Sequence, residues 1–156
     1  MADPKRELIA QALVSKLQGI TRAAGYYTDA GMHVSRRRVA ISDVLSSDLP
    51  CLFVFSGERP GAEPLVGQGG THHMGPVEFV VLGYVESEEP DRDVNLLEAD
   101  VLKAVLTDER LGLTSDTVLQ TSEAGSVTDY SEYAPQGRGF VQVHFAVTYV
   151  WTHTSV

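Results

Sequence analysis

Cysteine, tryptophan and basic charge are all scarce in this chain. Of 156 residues one is cysteine and one is tryptophan. A lone Cys51 excludes a disulfide within the chain. It stands in the apolar run Cys51-Leu52-Phe53-Val54-Phe55, so it is expected to be a small buried hydrophobe in a reducing setting. No apolar run approaches the ~20 residues that a membrane-spanning helix needs. The opening M-A-D-P-K-R-E-L-I-A lacks the apolar core of a secretory signal, so no signal peptide is expected. The 12 Lys and Arg are outnumbered by 21 Asp and Glu, for a net charge of −9. That balance argues against a non-specific nucleic-acid binder.

Catalytic signatures are missing as well. There is no Walker A sequence, and Gly67-Gln68-Gly69-Gly70 does not fit G-x-G-x-x-G. H-E-x-x-H, C-x-x-C and the G-x-S-x-G elbow are absent. His72-His73 lies in a glycine-rich stretch, while His33, His144 and His153 are scattered, so no metal site is expected. The acids between Glu86 and Asp93 are better explained by helix capping and solubility than by a carboxylate pair. The sequence therefore predicts no catalytic residue, no cofactor and no metal.

What the chain does have is uneven charge. Residues 1–38 hold seven basic residues against three acids, a net +4, and the remainder holds five against eighteen, a net −13. One basic and one acidic surface would let a subunit pair head to tail with its own copy.

The strongest pattern is the last long one, Phe140 to Thr152. Val141, Val143, Phe145, Val147, Tyr149 and Trp151 alternate with Gln142, His144 and Thr148. Period-2 alternation in β-branched and aromatic residues predicts a long strand with one face on the core.

Earlier in the chain, Asp3 is expected to cap a helix with Pro4 at its first position, running to about Gln18. Ile9, Leu13, Leu17 and Ile20 form its apolar stripe. Met32 to Ile41 reads as extended, and Cys51 to Ser56 as a buried strand. Residues 57–75, rich in Gly and Pro, read as a flexible loop or hairpin arm. Pro76 to Glu86 is a second strand, expected to pair antiparallel with 51–56. Pro90 suits a helix start, and Val94, Leu97, Val101 and Val105 recur at helical spacing. Asp116 to Val127 is a weaker strand broken at Ala124-Gly125. The order helix, strands, helix, strands predicts a single α+β domain, a mostly antiparallel sheet with two main helices packed on one face.

The opening helix, the turn Gly25-Tyr26-Tyr27-Thr28-Asp29-Ala30-Gly31 and the cluster Arg36-Arg37-Arg38 together resemble the start of phage tail terminator proteins. These are small minor tail proteins of siphophages, lambda tail protein U among them. The L-P-C-L-F-V-F strand, the strand ending Gly83-Tyr84-Val85-Glu86, the helix L-L-E-A-D-V-L-K-A-V-L and the Asp129-Tyr130 turn extend the resemblance over nearly the whole chain.

The resemblance implies a structural protein rather than an enzyme. It implies a hexameric ring, a homo-oligomer that caps the tail tube at its head-proximal end in the virion. Such a ring ends tube polymerisation and provides the head-joining surface. The implied partners are the tail tube protein and a head-tail connector protein, with DNA passing through without specific binding and no membrane involved. Another neck component, such as a stopper or completion protein, stays open, as does a small enzyme with an unrecognised site.

The subunit-interface candidates are Arg36, Arg37 and Arg38 together with Tyr26, Tyr27 and Asp29. In an extended segment Arg36 and Arg38 would share one face with Arg37 opposite. The first 38 residues offer only three acids, so Arg36 or Arg38 is expected to find its acid on a neighbouring subunit.

Overall fold

The computed structural model describes residues 3–61, 63–64, 72–129, 135 and 137–152. Two helices, α1 (Lys5–Gln18) and α2 (Pro90–Leu106), accompany six strands. The strands are β1 (Val34–Ser35), β2 (Cys51–Ser56), β3 (Glu63–Pro64), β4 (His72–Glu86), β5 (Val118–Asp129) and β6 (Arg138–Thr152). The sheet runs β1-β2-β4-β6-β5, with β3 pairing beside β4. Every described pairing is antiparallel except β1 with β2. The fold is α+β, as the element order predicts.

The centre is β4 against β6, paired from His72↔Thr152 to Glu86↔Arg138. Period 2 sends Val77, Phe79, Val81 and Val85 of β4 to one face, where Val141, Val143, Phe145, Val147 and Tyr149 of β6 meet them. Both helices lay their stripes on that face. Ile9, Leu13 and Leu17 of α1 are fully buried, as are Val94, Leu97, Val101 and Val105 of α2. Each such side chain contributes roughly 1.5–3 kcal/mol of burial. Helix α2 comes closest at Gly83, where an added Cβ would stand 2.6 Å from Leu97 Cδ2. Only a residue without a side chain lets the helix sit that low.

On the opposite face one end is covered by the chain that follows β1. Cys51, Phe53, Leu82 and Tyr84 form a second buried cluster beneath Val39, Ile41, Val44 and Leu49 of the connector after β1. Burial pushes the Cys51 thiol up to about 12, so it remains a protonated hydrophobe.

Three local expectations are corrected. Asp3 does not cap α1. Pro4 is the residue before the helix, its carbonyl accepts from the Glu7 and Leu8 amides, and Asp3 instead accepts from Gln11 Nε2 at 2.9 Å. The extended reading of 32–41 holds only for Val34–Ser35. After it the Ser35 hydroxyl accepts from the Arg37 amide at 3.0 Å, a local side-chain bond that turns the chain out of the sheet. Finally, β4 begins at His72, four residues before the predicted start.

The break predicted at Ala124-Gly125 is present: the β5–β6 register shifts between Glu123 and Ser126, and Gly125 has φ +106°. Of the predicted 57–75 arm, Gly57 and Glu58 bond the Glu78 backbone, and Glu63–Pro64 pairs with β4. Elsewhere in that arm Arg59 donates to the Tyr149 hydroxyl at 3.3 Å and residues 72–75 belong to β4, while residues 62 and 65–71, with Gly67–Gly70 among them, and Tyr130 of the Asp129-Tyr130 turn lie outside the described residues.

Candidate subunit interface

The tyrosine turn is built onto α2. Asp100, 1% exposed, accepts from the Tyr27 amide at 2.9 Å and from the Thr28 amide and hydroxyl at 2.8 Å each. A buried carboxylate is tolerable when donors fill its lone pairs this way. One helical turn on, Lys103 donates to the Gly25 carbonyl at 3.0 Å and sits 4.6 Å from the centre of the Tyr26 ring. Asp29 accepts from the Arg22 amide at 2.8 Å. Gly31 packs so tightly on the end of α1 that a Cβ there would meet three carbonyl oxygens at 2.6–2.7 Å. The G-Y-x-T-D-x-G pattern thus encodes a clamp between the two helices. It holds Tyr26 half-buried and leaves Tyr27 62% exposed over a cleft of about 430 Å³ that includes Arg22, Asp29 and Arg92.

The three arginines part company in the bend after β1. Arg36 Nη1 lies 2.5 Å from Glu7 Oε1 on its own α1, and that hydrogen bond holds the Glu7 carboxyl below the usual glutamate value. Arg38 places its guanidinium 5.6 Å over the Phe55 ring. Arg37 is exposed and its guanidinium has no partner among the described residues, although its backbone bonds Ser35.

The intersubunit acid expected for Arg36 is therefore already present within the subunit. The scarcity argument fails because the bend after Ser35 carries Arg36 to the outside of α1, where Glu7 waits. The other early basic residues are also engaged internally. Lys5 and Arg6 donate to backbone carbonyls of Asp116 and Gly57, Lys16 pairs with Asp108 at 3.2 Å, and Arg22 lies 3.7 Å from Asp29. Of the seven basic residues in 1–38, Arg37 alone presents an uncommitted charge.

A cleft of about 490 Å³ opens beside Arg37. Val39, Val44, Cys51 and Phe53 give it apolar walls, and Met32 and Leu45 stand at its rim, 70% and 67% exposed. Its roof, the 39–48 connector, is held by a residue that sequence reasoning missed. Arg138, 9% exposed, lies 2.5 Å from Glu86 and donates to the carbonyls of Ile41 and Val44 at 2.6 and 2.8 Å. Arg138 and Glu86 are register partners on β6 and β4. The sequence does not predict the pairing of these two strands, since it pairs 76–86 with 51–56 only, so nothing there joins the two charges. The Arg138 hydrogen bond, seconded by Ser46, holds the Glu86 carboxyl low.

Farther along that opposite face His144 Nδ1 lies 2.6 Å from Glu78, and its Nε2 lies 2.9 Å from the Gln142 amide. These three residues line neither cleft. Among the described residues no group of three or more His, Cys, Asp or Glu side chains could hold a metal ion, and no helix is long and apolar enough to cross a membrane.

Comparison with known proteins gives a likeness of fold. No protein-family model matches the chain, and no curated protein matches it. A chain of a solved structure described as the virion of a native gene transfer agent (GTA) particle superposes with a TM-score of 0.62 at 13% sequence identity. The match covers 90% of this chain and 92% of that one. At that identity the likeness defines an architecture shared over nearly the full length of both chains.

Proposed function

We propose that this chain is a structural component of a phage-like virion, a tail terminator. In this reading copies of it close into a hexameric ring at the head-proximal end of the tail tube. The ring stops tube polymerisation and presents the surface that the head joins.

The observation that carries the reading is the near-complete superposition on a chain of a gene transfer agent virion. The resemblance of the Gly25–Gly31 turn, the arginine cluster and the element order to tail terminators supports the finer assignment. So does the nature of the surface, where an exposed aromatic, an uncommitted arginine and an apolar-walled cleft suit packing against protein. The Glu78–His144–Gln142 row lines neither of the two clefts described, which favours a structural role over a catalytic one. An overall charge of −9 suits a ring through which DNA slides without sticking.

Electron microscopy of the purified protein, alone and mixed with its tail tube protein, tests the proposal. The expected result is six-fold rings that bind tube tips and shorten the tubes. Rings that bind only the head connector would replace this reading with a head-side stopper. Monomers at every concentration would overturn it.

A further inference from the structure

The sheet ends in two unlike edges, and their chemistry is complementary. At one end β5 pairs with β6 alone, and Ser122 to Thr128 are exposed along it. This strand carries Glu123 and Asp129 and no basic residue. Glu123 is exposed and has no partner among the described residues, and Val127 is 55% exposed. At the other end β1 pairs with β2 alone. Beside it lie the unpartnered Arg37, the exposed Met32 and Leu45, and the apolar-walled cleft.

We propose that neighbouring copies meet edge to edge, the β5 edge of one copy seating against the β1 edge and cleft of the next. The inference rests on the ring reading above and says which surfaces form its seam. Four inter-strand steps, roughly 19 Å, separate the two edges. A subunit therefore offers distinct surfaces to its two neighbours, as a cyclic ring requires.

Pairing of β5 with itself is the competing arrangement for so long an edge. It would bring the acidic strands of two copies together, Glu123 with Glu123, without a basic residue on either strand, and like charges disfavour it. Docking on the β1 edge instead gives Glu123 an arginine and offers Val127 an apolar pocket. The bulge at Gly125 interrupts the regularity of β5. Side chains, more than a continuous backbone ladder, therefore carry the seam.

Charge exchange tests this. R37E and E123R are made singly and together, with V127D as a third variant, and folding is checked by circular dichroism. Sedimentation velocity at low and high salt then gives the concentration of half-assembly. Each single charge reversal and V127D should raise that concentration by roughly tenfold or more. The R37E/E123R double variant should return to within about threefold of the parent, because every seam then holds the reversed pair. Folded single variants that assemble like the parent would overturn the seam, as would a double variant no better than the singles. If the parent itself forms no ring, the ring reading fails first and the seam with it. A parent that forms only dimers would point to β5 pairing with itself.

Discussion

Asp100 takes two hydrogen bonds from Thr28, one from the amide and one from the hydroxyl, both at 2.8 Å. With the Tyr27 amide they join residues more than seventy positions apart and fix the tyrosine turn to α2.

Replacing Asp100 by Ala leaves three donors without an acceptor, two of them buried. The expected loss is roughly 3–5 kcal/mol of folding stability, or about 10 °C in melting temperature. Asp100→Asn, which keeps one accepting oxygen, should lose less than half as much. Urea unfolding of both variants measures this, and a loss below about 1 kcal/mol for D100A would mean that water replaces the carboxylate freely.

Acid should destabilise the protein through its paired carboxylates. Glu86 is held low by Arg138, Glu7 by Arg36, and Asp108 by the Arg110 amide and then Lys16. A carboxyl whose folded value is depressed stabilises the fold above its unfolded value. That contribution disappears as pH falls through the folded value. Stability should therefore be level near neutrality and decline as pH drops below the ordinary glutamate value of 4.5. Glu86→Gln should melt lower than the parent at pH 7 and converge with it as pH falls through the lowered folded value of Glu86. Melting curves across pH check this, and a constant gap between the two proteins would exclude the Arg138 pairing as a source of acid sensitivity.

Gly83 should tolerate no side chain while Leu97 is present. The Cβ of G83A would stand 2.6 Å from Leu97 Cδ2 and 3.1 Å from Leu52 Cδ2, both on fully buried residues. Overpacking of this kind costs roughly 1–3 kcal/mol. L97A alone opens a cavity and costs roughly 2–5. The double variant should lose less than the two single losses combined, with a coupling of roughly 0.5–3 kcal/mol. Denaturant titration of the four proteins closes the cycle, and strict additivity would show that α2 lifts off the sheet instead.

Much of this architecture was legible from periodicity alone. The stripes of α1 and α2, the alternation of β6 and the 51–56 pairing with β4 all stand where spacing places them. Apolar residues obey a local rule wherever one face is buried. Polar residues obey no such rule, and there the reading of the chain fails. Arg36 looked uncommitted because its acid lies twenty-nine positions away on α1. Asp100 looked like an ordinary helix residue, although α2 buries it against a turn seventy positions earlier. The partner of a charged side chain is chosen by tertiary placement, so Arg37 became the notable arginine only once its neighbours had been assigned.

The strand order β1-β2-β4-β6-β5 also carries a schedule. Ribosomes deliver β5 before β6, yet β6 is the only described strand that β5 joins and also the one that completes the centre of the sheet. A nascent chain that has released β5 at Asp129 must wait for the 23 residues up to Thr152 before its partner strand is complete, an interval of seconds at ordinary elongation rates of about 5–20 residues per second. Through that interval β5 has α2 to pack against but no described strand beside it. The acidic edge takes its final form only when the central strand locks in, so the seam proposed above would be withheld from a half-made chain and kept for finished subunits.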